Sequence, residues 1–439
     1  MKVLQVLNHF LPNKIAGTEV YTWALCKQLQ LQDIEVKIVI PNYGKTETSN
    51  YVYDGLFVYQ YAEPSKVDRS LIMGLRTPDG LIHFEEFIRK EQPNIIHFHE
   101  LAGSNGITLK HVEVAKQSSA KVIMTLHLVG YSCKTGTLSY LKKSACDGVM
   151  DLQKCSNCHL HSTGHGKIAG PLTSISSLLY NFSINPTYLQ NKVGTALGTV
   201  SIISKLMEDL HFLVSQCDYI VSVTDWYQKV LLANGVNESK IKIIKQGLPF
   251  AHRQVISVER KLHTPLKLVF LGRINKSKGL HLLIKALNDI DPNLVELSIF
   301  GNSDDVLYES TLKAETAFKT NISWNGKLNQ QDVIINLGQH DILCLCSTLS
   351  EMSALVIQEA FAAGIPVIAS NVYGNAEQIC HNYNGLLFDF NNVQDLREQI
   401  LRCINEPGLL QELSDNIKPP RLFKEVCNEY LNLYRNLMN

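Results

Sequence analysis

Two cations follow an apolar run in the second half of the chain, and their spacing suits phosphate binding. The sequence Leu271-Gly-Arg-Ile-Asn-Lys-Ser-Lys-Gly279 places Arg273 and Lys278 between a predicted strand and a predicted helix. A guanidinium fork and an ammonium group both stabilise phosphate oxygens, and backbone N–H groups at a helix start add to that attraction. The pair therefore predicts a diphosphate site, with two solvated loop charges as the alternative.

Two glutamates eight residues apart lie further along the chain. Glu351 lies before, and Glu359 within, a helix predicted to begin near Ser353 and to end at Gly364. Steps of about 100° per residue put the two positions roughly 80° apart around the axis and about two turns apart along it. This geometry lets one carboxylate reach a sugar and the other the ribose of a bound nucleotide. The structural alternative is a favourable charge near a helix N-terminus.

The elements that must position these residues alternate short apolar runs with amphipathic helices. Such alternation is typical of parallel sheets covered by helices on both faces. The predicted strands are Lys2–Leu7, Val36–Ile40, Ile95–Phe98, Lys121–Leu126 and Tyr219–Val223 in a first series, and Leu268–Leu271, Val295–Phe300, Ile342–Cys346 and Pro366–Ala369 in a second. The sequence therefore predicts two doubly wound α/β domains in tandem, with ligands at the carboxyl ends of their strands and between the domains.

The boundary between the domains is predicted from a polar segment, Pro249 to Pro265, that has no helical or strand period. The end of the chain carries apolar residues at helical spacing from Lys424 to Met438, which predicts a terminal helix. The predicted divisions are an N-terminal domain at 1–250 with a cysteine-bearing insertion at about 128–200, a linker at 251–265, a second domain at 266–415, and a helical tail at 416–439 that packs back on the N-terminal domain.

Further motifs occur in both halves in a fixed order. They are Gly-Arg-x4-Lys-Gly at 272–279, Glu-x7-Glu at 351–359, Ala-Ala-Gly-x-Pro-Val-Ile-Ala-Ser at 362–370, Gly374-Asn-Ala-Glu377 and Asn384-Gly385, and in the first half Ala16-Gly17-Thr-Glu19, His99, His127 and Lys245-Gln-Gly247. In order and spacing this set resembles the retaining glycosyltransferases of family four, which have two Rossmann-like domains in the GT-B arrangement. The resemblance covers nearly the whole chain.

The resemblance implies a nucleotide-sugar-dependent hexosyltransferase that retains anomeric configuration and acts on a saccharide or lipid-linked acceptor in polysaccharide or glycoconjugate biosynthesis. It assigns catalysis to Arg273, Lys278, Glu351 and His127, donor binding to Glu359, Gly272, Gly17 and the backbone of Ala354, Leu355 and Val356, and the acceptor side to Glu19 and His99. His127 and His99 could instead be buried strand-end histidines. Ala16 and Ala354 stand where family members often have glycine, which bears on donor preference. Because two cations and helix amides can stabilise the leaving phosphate, catalysis is predicted to need no metal or other cofactor.

Four of the eleven cysteines fall in one segment: Cys133, Cys146, Cys155 and Cys158. The Cys-x2-Cys pair is half of a familiar zinc site, and tetrahedral zinc takes four Cys or His ligands. The segment therefore predicts a structural zinc site, with free thiols or disulfides as alternatives. Disulfides are disfavoured in a reducing compartment.

Charge and composition exclude several classes of protein. The 41 basic and 41 acidic residues balance, and no basic run indicates a nucleic-acid partner. A Pro-Asn-Lys stretch follows the first residues too soon for a signal peptide, so a cytoplasmic location is expected. The uncharged stretch Ile168 to Asn191 is too polar to span a bilayer. It either dips into the inner membrane surface to meet a lipid-linked acceptor or folds against the first domain.

Two rival functions remain. Nucleotide-sugar epimerases use two domains of the same fold, and they need no acceptor. A non-catalytic binding protein organised around the cysteine segment would need neither Arg273 nor Glu351.

Overall fold

The computed structural model describes residues 1–102, 106–249 and 264–439. All but Thr264 and Pro265 of the predicted linker at 251–265 lies outside these ranges. The strands of the described residues are β1 (Lys2–Val6), β2 (Glu35–Tyr43), β3 (Ser49–Tyr53), β4 (Leu56–Glu63), β5 (Ile95–Phe98), β6 (Lys121–Leu126), β7 (Ser139–Tyr140), β8 (Ser144–Ala145), β9 (Tyr219–Ser222), β10 (Ile241–Ile243), β11 (Leu266–Leu271), β12 (Val295–Phe300), β13 (Ile322–Trp324), β14 (Ile342–Leu345), β15 (Val367–Ser370) and β16 (Gly385–Phe388).

The α-helices follow most of these strands in the sequence. They are α1 (Gly17–Gln30), α2 (Arg69–Ile72), α3 (Leu81–Glu91), α4 (Leu109–Gln117), α5 (Leu152–Ser162), α6 (Ala169–Asn181), α7 (Lys192–Leu197), α8 (Thr199–Gln216), α9 (Asp225–Ala233), α10 (Leu280–Leu287), α11 (Val306–Thr316), α12 (Val333–Leu337), α13 (Leu355–Ala362), α14 (Tyr373–Ala376), α15 (Val393–Asn405), α16 (Leu409–Asp415) and α17 (Phe423–Met438). Short 3-10 turns lie at Val129–Tyr131, Gly166–Ile168, Pro186–Leu189, Glu238–Lys240, Lys276–Lys278 and Gln330–Asp332.

The described residues divide into two compact units. Unit 1 contains Met1–Gly136, Asp147–Pro249 and Leu422–Asn439, and unit 2 contains Thr137–Cys146 and 264–421. The division differs from the predicted N-terminal domain of 1–250, because the β7–β8 hairpin belongs to unit 2. Within that unit, the backbone N–H of Ser350 donates to the carbonyl of Thr137 at 2.9 Å.

Unit 1 is built on an eight-stranded sheet with the order β10-β9-β6-β5-β1-β2-β4-β3. All neighbours are parallel except the β3–β4 hairpin at one edge. β1, β5 and β6 are buried along nearly their whole length, which is why they read as continuous apolar runs. The carboxyl ends of these strands carry the loops in which His99 and His127 lie.

Unit 2 is built on a six-stranded, fully parallel sheet with the order β13-β12-β11-β14-β15-β16. Counted from β11 along the chain, this is the order 3-2-1-4-5-6 of the Rossmann sheet. The reversal of strand order lies between β11 and β14, and the loops after these two strands carry Arg273, Lys278 and Glu351. The prediction of two doubly wound parallel sheets is confirmed.

The terminal helix α17 belongs to unit 1. Its apolar face packs into the same hydrophobic core as β1, β2 and α1. The helix therefore completes one face of the first sheet, whereas residues 416–421 belong to unit 2.

Among the described residues, no helix combines the length and the apolar character needed to cross a bilayer.

Candidate active site

The loop after β11 is held against the loop after β14 in unit 2. Gly279 has a left-handed backbone with φ of 70°, and a Cβ atom there would lie 1.7 Å from the carbonyl oxygen of Cys346. Only glycine permits this approach. The backbone N–H of Thr348 also donates to the carbonyl of Ser277 at 2.8 Å. These contacts fix Lys278 beside the residues that follow β14.

Lys278 and Glu351 form an ion pair at the resulting junction. The Nζ atom of Lys278 lies 2.5 Å from Oε1 of Glu351, and the side chains are 20% and 13% exposed. Ser347 Oγ donates to the same oxygen at 2.6 Å. Burial raises the pKa of Glu351, but the charge of Lys278, the two hydrogen bonds and the nearby charge of Arg273 together bring that pKa below its ordinary value. Glu351 is therefore an anion at neutral pH.

Arg273 completes the group of charges. Its side chain is exposed, and its charge acts on Glu351. Gly272, which directly follows β11, donates its backbone N–H to the carbonyl of Phe300 at 3.1 Å. Two cations thus surround one carboxylate, which leaves one positive charge in excess to attract an anionic ligand.

The start of α13 lies directly after this group in the sequence. Ala354 is the N-cap with an extended backbone, φ −71° and ψ 111°, and no side chain caps the helix. The N–H groups of the first turn, including those of Leu355 and Val356, are therefore not satisfied by a capping side chain of this helix. The helix begins two residues later than predicted, and the smaller conformational range of alanine is compatible with the N-cap position.

Glu359 lies one turn further along α13. Its Oε1 accepts a hydrogen bond from Nε2 of Gln330 at 2.7 Å. Burial raises the pKa of Glu359, and the hydrogen bond only partly offsets that effect. The described contacts bring Arg273, Lys278 and Glu351 together, whereas Glu359 has a separate partner.

A close backbone approach also holds the Glu351 loop from the other side. A Cβ atom on Gly374, in α14, would lie 1.9 Å from the carbonyl oxygen of Glu351. The motif Gly374-Asn-Ala-Glu377 therefore has a packing role at its first residue. Glu377 itself is partly exposed.

The histidines of unit 1 form a hydrogen-bonded pair. Nδ1 of His99 lies 3.2 Å from Nε2 of His127, and Nε2 of His99 lies 2.6 Å from Oε1 of Gln5. Because an amide oxygen only accepts, His99 donates from Nε2 and accepts at Nδ1 from His127. Nδ1 of His127 is then unprotonated and can accept a hydrogen bond. Burial lowers the pKa of His127 to about 3, so the ring is neutral at physiological pH.

The histidine pair continues into a buried polar chain that reaches the terminal helix. Gln5 Nε2 donates to the hydroxyl of Tyr434 at 3.5 Å, and that hydroxyl lies 2.7 Å from Nδ1 of His97. Nε2 of His97 lies 2.7 Å from Thr125 Oγ1. The hydrogen-bonded series continues from Thr125 Oγ1 to the hydroxyl of Tyr430 at 2.8 Å. It ends at the hydroxyl of Tyr21, which lies 2.9 Å from that of Tyr430. The ring of Tyr21 in turn packs edge-on against His127, with centroids 4.6 Å apart.

Two further predicted residues of unit 1 lie on α1. Gly17 begins the helix, and a Cβ atom there would meet nothing within 4 Å, so the site has space for a ligand. Glu19 is 1% exposed, and its Oε1 lies 3.3 Å from Nζ of Lys14. Among the described residues, neither carboxylate oxygen of Glu19 takes part in a hydrogen bond. Burial and the charge of Glu19 raise the pKa of the neighbouring Glu100.

Among the described residues the four cysteines are not grouped as metal ligands, and the zinc site stays a prediction. All eleven cysteines lie in the described ranges, and none is in a disulfide. Across those ranges, no three His, Cys, Asp or Glu side chains are grouped so that they could hold a metal ion. Burial and the charges of Cys133 and Cys158 raise the pKa of Cys155. Cys146 belongs to unit 2 and the other three to unit 1.

One Asp-x-Asp triplet, 289–291, has a spacing that suits a divalent ion. It precedes β12, at the amino edge of the sheet, whereas the loop of Arg273 follows β11 at the carboxyl edge. Asp289 pairs with Arg397 at 3.0 Å, and Asp291 accepts from the backbone of Asn293 at 2.9 Å. The triplet is therefore not part of the cluster around Glu351.

Several partners were not predicted from the sequence. Ser347, Gln330, Gln5 and Tyr434 are polar residues whose roles depend on contacts between distant parts of the chain. The carboxyl-edge position of Ser347, directly after β14, was the one available signal.

Comparison with known proteins gives two family matches. The family described as Glycosyl transferases group 1 matches residues 253–419, and the one described as Glycosyltransferase Family 4 matches residues 15–146. Together the matched ranges span more than half of the chain.

Similar individual proteins include a relative and two solved structures. An uncharacterized glycosyltransferase of Methanocaldococcus jannaschii is 26% identical over 235 residues, which are 51% of this chain and 60% of that protein. The match thus spans less than two thirds of that relative. Sucrose-phosphate synthase from Thermosynechococcus elongatus has a TM-score of 0.68 at 14% identity, covering 100% of this chain and 99% of the other. Anabaena HepE, solved with UDP and glucose, has a TM-score of 0.62 at 14% identity, covering 99% and 100%. These structures share the fold.

Proposed function

Since the chain belongs to the family-4 glycosyltransferases of GT-B fold, we propose that it transfers a sugar from a nucleotide diphosphate donor to a saccharide or lipid-linked acceptor. The observation that carries the proposal is the ion pair of Lys278 and Glu351, with Arg273 beside it, directly before the uncapped start of α13. This arrangement joins an anion-binding surface to a carboxylate that can bind sugar hydroxyls.

The cations act on the leaving group. Transfer breaks the bond between the anomeric carbon and the β-phosphate oxygen, and negative charge accumulates on that phosphate. A unit charge pair about 4 Å apart is worth about 4 kcal/mol at an effective dielectric near 20. Arg273 and Lys278 therefore stabilise the departing diphosphate, and the first-turn N–H groups of α13 add to this effect without a metal ion.

Glu351 has two tasks in this account. As an anion it holds the Lys278 ammonium toward the site, and it accepts hydrogen bonds from hydroxyls of the donor sugar. Glu359 accepts a hydrogen bond from the ribose. The donor is thereby held at its sugar, its diphosphate and its ribose, which fixes the anomeric carbon for attack.

Unit 1 supplies a neutral imidazole to the reaction. Because Nδ1 of His127 is unprotonated, it accepts a hydrogen bond from a sugar hydroxyl. The reaction retains anomeric configuration: the leaving phosphate takes the proton of the acceptor hydroxyl, and the acceptor oxygen bonds to the anomeric carbon on the same face. Glu19 and His99 serve the acceptor side. We place this transfer in the cytoplasm, in polysaccharide or glycoconjugate synthesis.

The donor class is supported by one solved structure of the same fold. HepE was solved with UDP and glucose, so UDP-sugars are the first donors to test, followed by GDP- and ADP-sugars.

The test is release of nucleotide that depends on added acceptor, with the anomeric configuration of the product read by NMR. Lys278→Met is expected to lower the rate by at least about a hundredfold, in the range seen when one transition-state donor is removed. Lys276→Met, in the same exposed loop but outside the bonded group, is the matched control and is expected to keep the rate. Transfer by Lys278→Met at the rate of Lys276→Met would contradict the proposal.

The same assay separates the rival functions. An epimerase would convert the donor sugar to its epimer, and added acceptor would not change nucleotide release. A non-catalytic binding protein would release no nucleotide with any acceptor.

A further inference from the structure

The helix α6 has its apolar side chains on the outside. Its buried residues are Ala169, Thr173 and Ser176, and through them the helix packs against α5, α7 and α8 in unit 1. The backbone N–H of Val200 donates to Ser176 Oγ at 3.0 Å, so the inner face is partly held by polar contacts. This is the reverse of an ordinary surface helix, which buries its apolar stripe.

The outer face of α6 carries a continuous apolar stripe. Ile168, Ile175, Leu178 and Phe182 are 52%, 48%, 57% and 71% exposed. Their spacings of seven, three and four residues place them on one side of the helix. The stripe therefore has no cover among the described residues, although it would lose contact with water on binding an apolar phase.

Exposed apolar residues continue immediately after the helix. They are Ile184 at 52%, Tyr188 at 68%, Leu189 at 62% and Val193 at 63%. We call the stripe and these residues together the apolar surface of 168–193. An exposed apolar surface of this extent indicates an interaction site. The chain as a whole has no net charge.

The segment that carries this surface has no acidic residue. From Leu152 to Met207 the sequence has no Asp or Glu, but it has Lys154, Lys167, Lys192 and Lys205. Lys167 precedes the apolar surface, Lys192 lies near its end, and both side chains are exposed. In the rest of the chain acidic residues outnumber basic ones, so this run is a local exception that suits an anionic partner.

A neighbouring turn contacts the segment that follows α6. The guanidinium of Arg69, at the start of α2, donates to the carbonyl of Asn191 at 2.6 Å. The same helix exposes Ile72 at 53%. The exposed apolar character therefore extends beyond the insertion itself.

We propose that the apolar surface of 168–193 binds the surface of a bilayer that contains anionic phospholipid, with its apolar side chains in the interfacial region and Lys167 and Lys192 at the headgroups. Apolar residues combined with flanking cations are the features of an element that lies in the membrane interface.

A second copy of this chain fits less well, because a two-fold contact would bring lysines against lysines without an acidic partner in the run. From the sequence, the stretch Ile168 to Asn191 either contacts a membrane or folds against the first domain. The inner face of α6 packs against other helices of unit 1, and the exposed outer face is available for a membrane contact. The proposal does not depend on the chemistry at Glu351.

The test is flotation of the full chain with two kinds of vesicle, phosphatidylcholine alone and an equal mixture of phosphatidylcholine and phosphatidylglycerol. We expect binding to the mixed vesicles at low salt and at least about tenfold weaker binding to phosphatidylcholine alone or at high salt, because exposed charges are screened. A variant with Leu178→Ser and Phe182→Ser is expected to lose binding even at low salt. A second variant, Lys167→Glu with Lys192→Glu, is expected to lose the preference for the anionic vesicles.

The control is Phe318→Ser, which removes a 99% exposed aromatic side chain from unit 2. It is expected to bind vesicles like the unchanged chain. Melting curves of all variants separate loss of binding from loss of folding. Equal flotation of the Leu178/Phe182 variant and the unchanged chain would overturn the proposal, as would failure of the folded, unchanged chain to float with either vesicle. A concentration-dependent dimer that the Leu178/Phe182 variant abolishes, without vesicle binding, would assign the surface to a second copy.

Discussion

The chemistry of unit 2 depends on a carboxylate that is kept charged where it is largely buried. Glu351 accepts from Lys278 and Ser347 through one oxygen, and Arg273 lies near enough to favour the anion further. A buried pair of this kind gives geometric definition rather than large net stability. In the proposed reaction, this pair holds the ammonium group of Lys278 toward the diphosphate.

Glu359 differs from Glu351, and this difference gives a pH-dependent prediction. Its pKa is raised in the folded chain, so folding stability falls as pH rises from the ordinary value near 4.5 through the raised one. Glu359→Gln has no carboxyl group to ionise, so it does not lose folding stability over this pH range. Its amide oxygen can still accept the hydrogen bond from Gln330. We expect the variant to unfold at higher urea than the unchanged chain at neutral pH, and the two to converge below the ordinary Glu value.

The same variant is expected to bind the donor about tenfold more weakly, because a neutral acceptor makes a weaker hydrogen bond to ribose than an anion does. Urea unfolding at several pH values and a donor titration measure the two effects. A variant that is less stable at neutral pH, or that binds donor with unchanged affinity, would contradict the roles given to Glu359.

Gln5 is predicted to set the tautomer of the histidine pair. Gln5→Met removes the acceptor for Nε2–H of His99, which costs about 1–3 kcal/mol for an unsatisfied buried donor. We expect the ¹⁵N spectrum of His99 to show a second tautomer and the transfer rate to fall more than donor affinity. Tyr430→Phe also removes a buried polar group but lies at the far end of the chain of bonds, so the His99 tautomer should not change there. An unchanged His99 spectrum in Gln5→Met would contradict the assignment.

The residues that sequence predicts and those it does not differ in a physical way. Arg273, Lys278 and Glu351 follow predicted strands at the edge where ligands bind, so type and position were enough. Ser347 and Gln5 act through hydrogen bonds to residues that are distant in the sequence or that only folding brings near, and no local pattern marks them. The zinc prediction from four cysteines used spacing alone, and their placement in the folded chain does not group them.

At the scale of the elements, two glycines allow the loops of unit 2 to meet. Gly279 accommodates the end of β14, and Gly374 accommodates the carbonyl of Glu351. Both contacts are made by a glycine against a backbone carbonyl, so no side chain in a sequence motif indicates them. The position of Glu351 therefore depends on backbone packing from both directions.

Gly374→Ala tests this packing. The added methyl group would lie 1.9 Å from the carbonyl of Glu351, so the loop must shift. We expect a loss of about 1–3 kcal/mol in unfolding free energy, as for overpacked cores, and at least about a tenfold loss in transfer rate. Gly338→Ala is the matched control, because its nearest neighbouring atom would be 3.5 Å away. Equal rates for the two variants would show that Glu351 does not need this backbone contact.

Three strands of the two sheets were predicted with their observed bounds, namely Ile95–Phe98, Lys121–Leu126 and Val295–Phe300. The first two are almost fully buried, and the third alternates between buried and half-buried residues over its first four positions. Both patterns are typical of strands. The β3–β4 hairpin was not predicted, although Asp54-Gly55 is a strong two-residue turn signal. β3 has no buried residue, so no apolar run marks it in the sequence. The hairpin at Thr137–Cys146 could not be assigned to unit 2, because that depends on its contact with Ser350.

At the scale of the whole molecule, unit 1 is completed by the end of the chain. Seven side chains of α17 are buried, namely Phe423, Val426, Cys427, Tyr430, Leu431, Leu433 and Tyr434. Burial of large apolar side chains is worth about 1.5–3 kcal/mol each, so their sum rivals the total stability of about 5–15 kcal/mol for a domain. The helical period at Lys424–Met438 predicted the helix but not the hydroxyls that join it to His97.

Removal of residues 422–439 is therefore expected to prevent unit 1 from folding. The measurement is hydrogen exchange along β1 and β5, which should lose protection. A shorter truncation that removes only residues 435–439 keeps all seven buried side chains and should retain protection. Native protection of β1 without α17 would contradict the role of the helix in the core.

We expect unit 2 to bind a nucleoside diphosphate through Arg273 and Lys278. The most direct measurement is a calorimetric titration of UDP, GDP and ADP into the unchanged chain, Arg273→Ala, Lys278→Met and the control Lys276→Met. We predict that the unchanged chain binds at least one of these nucleotides. Arg273→Ala and Lys278→Met should each weaken that binding about ten- to a hundredfold, as expected for charge-assisted hydrogen bonds. Lys276→Met should leave the affinity unaltered. Absence of binding of all three nucleotides, or equal affinity in all four proteins, would contradict it.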